Sequence, residues 1–289
     1  MKINGLEVKV AVPTYNGGRN FKNFITALQK QDELQPEDVL VVDSSSLDAT
    51  AILAETAGFK VEVIPHNEFS HGGTRAKIVE ELQGDIIVFL TQDAILKDKD
   101  SIKKLVSVFV DDKIAAVYGR QLPFEDTNTF GTFARKFNYG EESFINTMED
   151  KKTKGIKVAF LSDSFSAYRK EALLSIGNFN KDLNFGEDTI AAGKLLLKGY
   201  NTAYCAKACI YHAHSYSIAE EFNRYKITGA FHKKEQWLLD TFGKAEGEGL
   251  KFVKEEIKYL VKEGKWYLVP WSFVRNVTKF VGYKIGSWM

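Results

Sequence analysis

Cysteine is almost missing from this chain of 289 residues: Cys205 and Cys209 are the only two. Their C-x3-C spacing has no second pair nearby, which argues against a structural zinc site. Free cysteines of this kind read as small buried residues. Long apolar runs are missing too. No segment approaches the ~18 apolar residues of a spanning helix, and Met1–Val10 lacks the apolar stretch of a signal peptide. The expectation is a cytoplasmic protein, soluble or peripheral to a membrane. There is no internal repeat, no low-complexity tract and no linker that would free a second domain. Strong net charge is absent as well, at +1 overall. That near-neutrality hides an asymmetry, because residues 251–289 carry eight Lys/Arg against three Glu. A basic, aromatic-rich tail on an acidic body suits an anionic partner surface. The body is not basic, which sets nucleic-acid binding aside.

What is present is an ordinary globular composition, 44% hydrophobic and 27% charged, long enough to bury a core without staples. The first half alternates apolar β-branched runs with helical periodicity. Strands are expected at Val8–Val12, Val39–Val42, Lys60–Ile64, Asp85–Leu90 and Ile114–Tyr118. Helices are expected at Asn20–Gln31, at Asp48–Ala57 with Asp48 as N-cap, at Thr74–Leu82 and at Ser101–Val110. Continuous apolar strands between amphipathic helices indicate an α/β fold, with a mostly parallel central sheet covered by helices on both sides. Residues 122–158 read as polar, aromatic and irregular. Order returns at Ser162–Tyr168 and in a helix from about Glu187 to Lys198. Further helices follow at Ile218–Leu239 and Gly249–Lys262.

Ligands of open parallel sheets bind beyond the carboxyl ends of the strands. Here those ends carry Pro13-Thr14-Tyr15-Asn16, Asp43-Ser44-Ser45-Ser46, Pro65-His66-Asn67 and Thr91-Gln92-Asp93. No G-x-G-x-x-G follows the first strand, which argues against a dinucleotide-dependent dehydrogenase. Asp43 can accept the imide N–H of a pyrimidine base or serve as a helix cap. Asp93, after a buried strand, is placed to hold a divalent metal against a diphosphate, Mg2+ or Mn2+. His71-Gly72-Gly73-Thr74-Arg75 offers glycines at a helix start, where backbone N–H groups approach a ligand and Arg75 adds charge to a phosphate site. The other reading of this stretch is a tight turn with a capping Thr74.

In this order and spacing, Pro-Thr-Tyr-Asn, Val-Val-Asp-Ser-Ser-Ser-x-Asp and Thr-Gln-Asp-Ala resemble the inverting family 2 glycosyltransferases with the GT-A fold, over roughly residues 7–215. The resemblance implies that Pro13, Tyr15 and Asp43 frame the base and that Asp93 is the metal-binding Asp of a D-x-D-like motif. The motif departs from pattern, with Gln92 where an acid is common and Ala94 in its third position, so a second metal ligand is needed. His212 and His214, i and i+2 on a strand, are the candidates. The Glu187-Asp188 pair matches the family's catalytic pair, implying Asp188 as general base and Glu187 as its partner. Alone, two acids at a helix N-terminus are also what the dipole favours. Phe69-Ser70-His71-Gly72-Gly73-Thr74-Arg75 is similar to a segment of bacterial rhamnosyltransferases within family 2. It implies dTDP-L-rhamnose as donor, with His71, Gly72, Arg75 and Gln92 among its contacts, and a saccharide or polyprenyl-linked saccharide as acceptor.

The expected division is a nucleotide-sugar-binding half at 1–121, an acceptor-binding and catalytic half at 122–215, and a helical extension at 216–289. The extension from Trp266 on either lies in a membrane interface at the inner face of the cell membrane or docks on the protein itself. Competing functions are a family 2 transferase using a UDP-hexose, and a sugar-nucleotide-binding protein without transferase activity. A sugar-nucleotide pyrophosphorylase is disfavoured, because its Gly-Thr-Arg loop follows the first strand whereas Gly73-Thr74-Arg75 follows the third.

Overall fold

The structure is a computed structural model that describes residues 1–245 and 247–289. The chain forms two compact units interleaved in sequence. The first comprises Met1–Gln121, Glu141–Met148 and Ala159–His212; the second comprises Leu122–Gly140, Glu149–Val158 and Ala213–Met289.

The first unit is built on a sheet of β1 (Lys2–Ile3), β2 (Leu6–Thr14), β3 (Val39–Asp43), β4 (Lys60–Val63), β5 (Ile86–Leu90), β6 (Ile95–Leu96), β7 (Ile114–Leu122), β8 (Phe144–Asn146), β9 (Phe165–Arg169) and β10 (Asn201–Tyr211). The strand order is β4-β3-β2-β5-β9-β7-β10-β6, with β1 beside β2 and β8 beside β10. Val-Leu-Val-Val-Asp in β3 and Ile-Ile-Val-Phe-Leu in β5 are buried at every position. A strand apolar on both faces fits a sheet covered on both sides; β4, β3, β2 and β5 are parallel neighbours, and β5 continues the sheet antiparallel to β9. The α/β class expected from the periodicity is therefore present. The helix Phe21–Gln29 buries Phe21, Phe24, Ile25 and Leu28, the apolar face of its sequence. Cys205 and Cys209 are free and buried in β10.

Register decides what shares the functional edge. Thr14 pairs with Asp43, so β2 and β3 end level. β9 runs antiparallel to β5 with Phe165 opposite Leu90, which brings residues 162–164 to the same edge. β6 pairs antiparallel with β10, Ile95 opposite Tyr211, so Asp93 lies where the chain leaves β10 at His212.

Three local expectations change. The helix placed at Asp48 begins at Thr50 without a side-chain cap. Asp48 instead accepts the N–H groups of Thr50 at 3.0 Å and Gly18 at 2.9 Å, which ties two loops together. The helix placed at Thr74 begins at His71, and its cap is Ser70, whose Oγ accepts from Gly73 N at 2.9 Å. The stretch read as irregular contains the helix Thr129–Asn138, capped by Asn128. Its polar residues mask an apolar stripe in which Phe133 meets Phe252 and Tyr259, with ring centroids 5.1 and 5.4 Å apart.

The second unit is helical. Ile218–Lys234 starts at a Ser217/Glu220 capping box and is crossed by the last helix, Val269–Trp288. Glycines make that crossing close. A Cβ added to Gly286 would stand 1.9 Å from Lys226 O, and one added to Gly229 would stand 2.1 Å from Tyr283 O. The buried side of the last helix is polar. Arg275 donates to Glu221 at 2.8 Å and to Tyr216 O at 2.9 Å, Lys279 lies 3.5 Å from Glu221, and Ser272 bonds Glu256. Its outward side carries Trp271, Phe273, Val274, Val277, Phe280, Val281 and Trp288, all exposed. Among the described residues no helix is long and apolar enough to cross a membrane.

Gly286→Val should lower thermal stability by about 1–3 kcal/mol or more, the usual cost of overpacking. Gly249→Ala, in a helix where an added Cβ meets nothing within 4 Å, should leave stability equal or higher. Thermal unfolding of both variants checks the crossing; equal melting temperatures would refute it.

Candidate active site

The ends of β2 and β3 are laced together by side chains. Asp43 is buried, and its carboxylate accepts from Ser46 N at 2.8 Å, Ser46 Oγ at 2.6 Å and Thr14 Oγ1 at 3.1 Å. The serines after Asp43 thus close a turn on its own side chain. Pro13 lies one residue before the end of β2, paired in register with Val42. Tyr15 is 40% exposed and stacks on His66 at 4.3 Å, a flat aromatic platform at the strand ends. Gln92 explains its own departure from an acid. Its amide accepts from Tyr15 N and donates to Tyr15 O, each at 2.9 Å, joining the ends of β2 and β5. A carboxylate could supply only the first of these bonds.

Asp93 and His212 meet with Oδ2 and Nε2 3.4 Å apart. Ala94 is wholly buried, so an acid in its place would have to give up its hydration. Sequence reasoning missed Gln121, which orients the histidine. Its Oε1 lies 2.9 Å from His212 Nδ1, and its Nε2 donates to Ser162 Oγ at 2.9 Å. An amide oxygen only accepts, so Nδ1 carries the hydrogen and Nε2 is turned to the carboxylate. Histidines that bind metals typically have their other ring nitrogen fixed in this way. The residues fit a divalent cation held by Asp93 and His212. Both histidines lie past the end of β10, not on the strand as expected, and His214 follows two residues along the chain in the second unit.

The His-Gly-Gly segment has a different partner from the phosphate expected. Gly72 N donates to Leu183 O at 2.8 Å, and a Cβ there would meet Asn180 O at 1.9 Å. Ser70 Oγ donates to Lys181 O at 2.8 Å. The glycines admit the chain's own backbone, and the loop they hold leads into Glu187 and Asp188. His71, at the helix start, packs edge-on against Phe69 and is partly open to solvent.

Arg75, from the same helix, is 3% exposed and does not reach the surface. Its Nη1 lies 3.0 Å from Glu187 Oε1 and its Nε 3.1 Å from Asp163 Oδ2. A guanidinium buried this deeply must be paired, and these carboxylates take the charge that the sequence assigned to phosphate. Asp163 also accepts from Ser166 Oγ and Tyr168 Oη, each at 2.7 Å. Sequence reasoning passed over Asp163 because its partners lie on other elements. Its signal was an acid entering β9 on the edge where β5 ends. Gly186, at φ 78°, turns the chain into the helix Glu187–Leu197. Glu187 is buried, and the half-buried Asp188 accepts from Thr189 N at 2.7 Å.

Three carboxylates surround one guanidinium. Burial, then the neighbouring charges of Glu187 and Asp163, push Asp188 well above the usual carboxylate range. Burial raises Asp163 too, against the pull of Arg75 and its hydroxyl donors. Burial also keeps the Tyr168 hydroxyl protonated, so it donates. Partial burial and then Arg75 lower His71 to about 4, so its imidazole is neutral near pH 7. Carboxylates whose ionisation is this perturbed by burial and neighbouring charge cluster at functional sites, which makes Asp188 a candidate for acid–base chemistry.

The glycosyl transferase family 2 model matches residues 9–177, spanning the strand ends that carry Asp43 and Asp93 and the entry to β9. The chain belongs to glycosyltransferase family 2. Among curated relatives of this transferase, O-antigen chain rhamnosyltransferase WbaN of Salmonella anatum is 42% identical over 96% of this chain and 88% of its own. O-antigen chain rhamnosyltransferase RfbN of Salmonella typhimurium is 41% identical over 98% of this chain and 90% of its own. Among solved structures, the mannosyltransferase PcManGT from Pyrobaculum calidifontis, in complex with GDP-Man and Mn2+, superposes with a TM-score of 0.61. It is 18% identical over 96% of this chain and 75% of its own, which shows the GT-A fold.

For this glycosyltransferase, the raised Asp188 fixes a stability trend. The native state holds that proton more tightly than the unfolded chain, so the associated stability is present at low pH and lost as pH rises through the native value. Asp188→Asn should therefore melt higher than wild type at pH 8, by about 2 °C or more. The gap should shrink toward pH 4, and scanning calorimetry across this range would show the opposite trend if the carboxylate were stabilised by its surroundings.

Proposed function

We propose that this family 2 glycosyltransferase moves L-rhamnose from dTDP-L-rhamnose to a saccharide or polyprenyl-linked saccharide acceptor, with inversion. The observation that carries the donor is the 41–42% identity, over nearly the whole chain, with two proteins named O-antigen chain rhamnosyltransferases. By the same names, the acceptor is a growing O-antigen chain.

Asp188 is the general base. It removes the proton of the acceptor hydroxyl as that oxygen forms its bond to the anomeric carbon. The bond from that carbon to the phosphate oxygen breaks, and dTDP leaves with the electron pair. One displacement needs one carboxylate and no covalent intermediate. Pro13, Tyr15 and Asp43 frame the base, with Gln92 holding Tyr15. His71, Gly72 and Arg75 serve the donor indirectly, by anchoring the loop and carboxylates that flank it. Asp93 and His212 would hold Mg2+ or Mn2+, which when bound would neutralise charge on the diphosphate. Residues 1–121 carry the donor, and 122–215 carry the acceptor and add His212 to the metal site. The extension at 216–289 attaches the enzyme peripherally to the inner face of the cell membrane.

The support for attachment is the inverted last helix, with its polar side paired inside the second unit and its aromatic side outward. Trp and Phe on such a face suit the headgroup boundary. Arg275 and Lys279 are paired with Glu221, so insertion contributes more than charge.

Asp188→Asn should keep donor binding and lower turnover by roughly 10²–10⁴-fold; near-wild-type turnover would remove it from the mechanism. In competition, dTDP-L-rhamnose should displace a nucleotide probe better than UDP-glucose does. A win for the UDP-hexose would leave the family standing and the donor wrong. Phe273→Glu with Phe280→Glu should abolish sedimentation with phosphatidylglycerol vesicles while sparing donor binding; high salt should only weaken it. Unchanged sedimentation of the double variant would refute the membrane role of that face.

A further inference from the structure

Asp163 has no part in the chemistry just described, yet Arg75 joins it to the catalytic pair. Arg75 comes from the helix His71–Glu81, Asp163 from the turn before β9, and Glu187 from the start of the helix Glu187–Leu197. The guanidinium bridges the two carboxylates at 3.1 and 3.0 Å and lies over the Phe89 ring at 5.8 Å. His71 adds its Nδ1 and its carbonyl oxygen, each 3.2 Å from Arg75 Nη1. Asp163 is itself fixed by Ser166 and Tyr168. Such a clamp on buried charge is costly to assemble, and a salt bridge in such a place is weak evidence for stability alone.

We infer that Arg75 and Asp163 are positioning residues for catalysis: the guanidinium, strung from Asp163 to Glu187, holds the acid pair in place and balances the negative charge around Asp188. This rests on Asp188 being the base. Among the described residues, the charged and titratable groups that act most strongly on it come from three elements. Glu187 stands beside it on its own helix. Asp163 and Tyr168 face it from the β9 segment, and Arg75 faces it from the helix at His71. His71 is neutral near pH 7 and adds no charge. The two members of the pair therefore act in opposite senses. Asp163 makes ionisation of Asp188 harder and Arg75 makes it easier. A positive and a negative charge within a few ångströms each move a carboxylate by about one unit or more.

The test is the acid limb of the kcat/KM–pH profile, measured on the full chain with donor and acceptor. The isosteric Asp163→Asn should move the limb to lower pH by about one unit. Arg75→Met should move it to higher pH by a similar amount, and Arg75→Lys, which keeps the charge, should return it toward wild type. Damage to the fold would lower kcat in all three without moving the limb in opposite directions. Shifts in the same direction, or an unmoved limb in soluble, folded variants, would overturn the inference. Asp188→Asn separates this from the reading beneath it. If that variant is inactive while the limb stays fixed in the others, only the positioning role falls. If it turns over normally, both fall together.

Discussion

One buried guanidinium organises the first unit. Arg75 has no route to water, so its charge demands carboxylates, and those carboxylates must come from elements far away in sequence. Meeting that demand draws the turn before β9 and the helix at Glu187 onto the helix at His71. The His-Gly-Gly start completes the arrangement by letting the backbone at Asn180–Leu183 lie against the same helix. Three carboxylates exceed what one cation can satisfy, and the surplus falls on Asp188. Its reluctance to ionise is thus a by-product of how the strands and helices are locked together.

The sheet was legible because its signals are local. Val39–Val42 and Asp85–Leu90 are apolar at nearly every position, and a sheet covered on both faces buries such strands. The strand ends bearing Asp43 and Asp93 followed from strand direction, while Asp188 was singled out by the family resemblance alone. What stayed hidden depends on contacts across the chain. Nothing near Asp163 announces that Arg75, 88 residues earlier, lies against it. Gln121 and His212 are likewise 91 residues apart. Arg75 also shows how a correct motif acquires a wrong partner: an arginine after glycines at a helix start suits phosphate, and only burial reveals that acids take its charge instead. The helix Thr129–Asn138 was missed because its aromatic stripe is thin and framed by polar residues.

The second unit inverts the usual pattern of a surface helix. Ordinarily the apolar stripe faces inward. In Val269–Trp288 the glycines and charges face inward and the aromatics outward, because Gly229, Gly282 and Gly286 bring two backbones too close for large side chains. Glu221 then has a cation within reach on the facing helix.

The reciprocal bond between Gln92 and Tyr15 reaches beyond loop geometry. Restoring an acid at residue 92 would strand the Tyr15 carbonyl and loosen the join between β2 and β5 beneath the aromatic platform. With Ala94 sealed in the core, neither neighbour of Asp93 is free to become a carboxylate. A cation at this edge therefore meets one oxygen donor from the motif and imidazole nitrogen beyond it. Such a shell would carry less negative charge than paired carboxylates offer, leaving more of a bound cation's charge for a diphosphate. The packing of two strand ends thereby reaches into the charge that a bound cation could present.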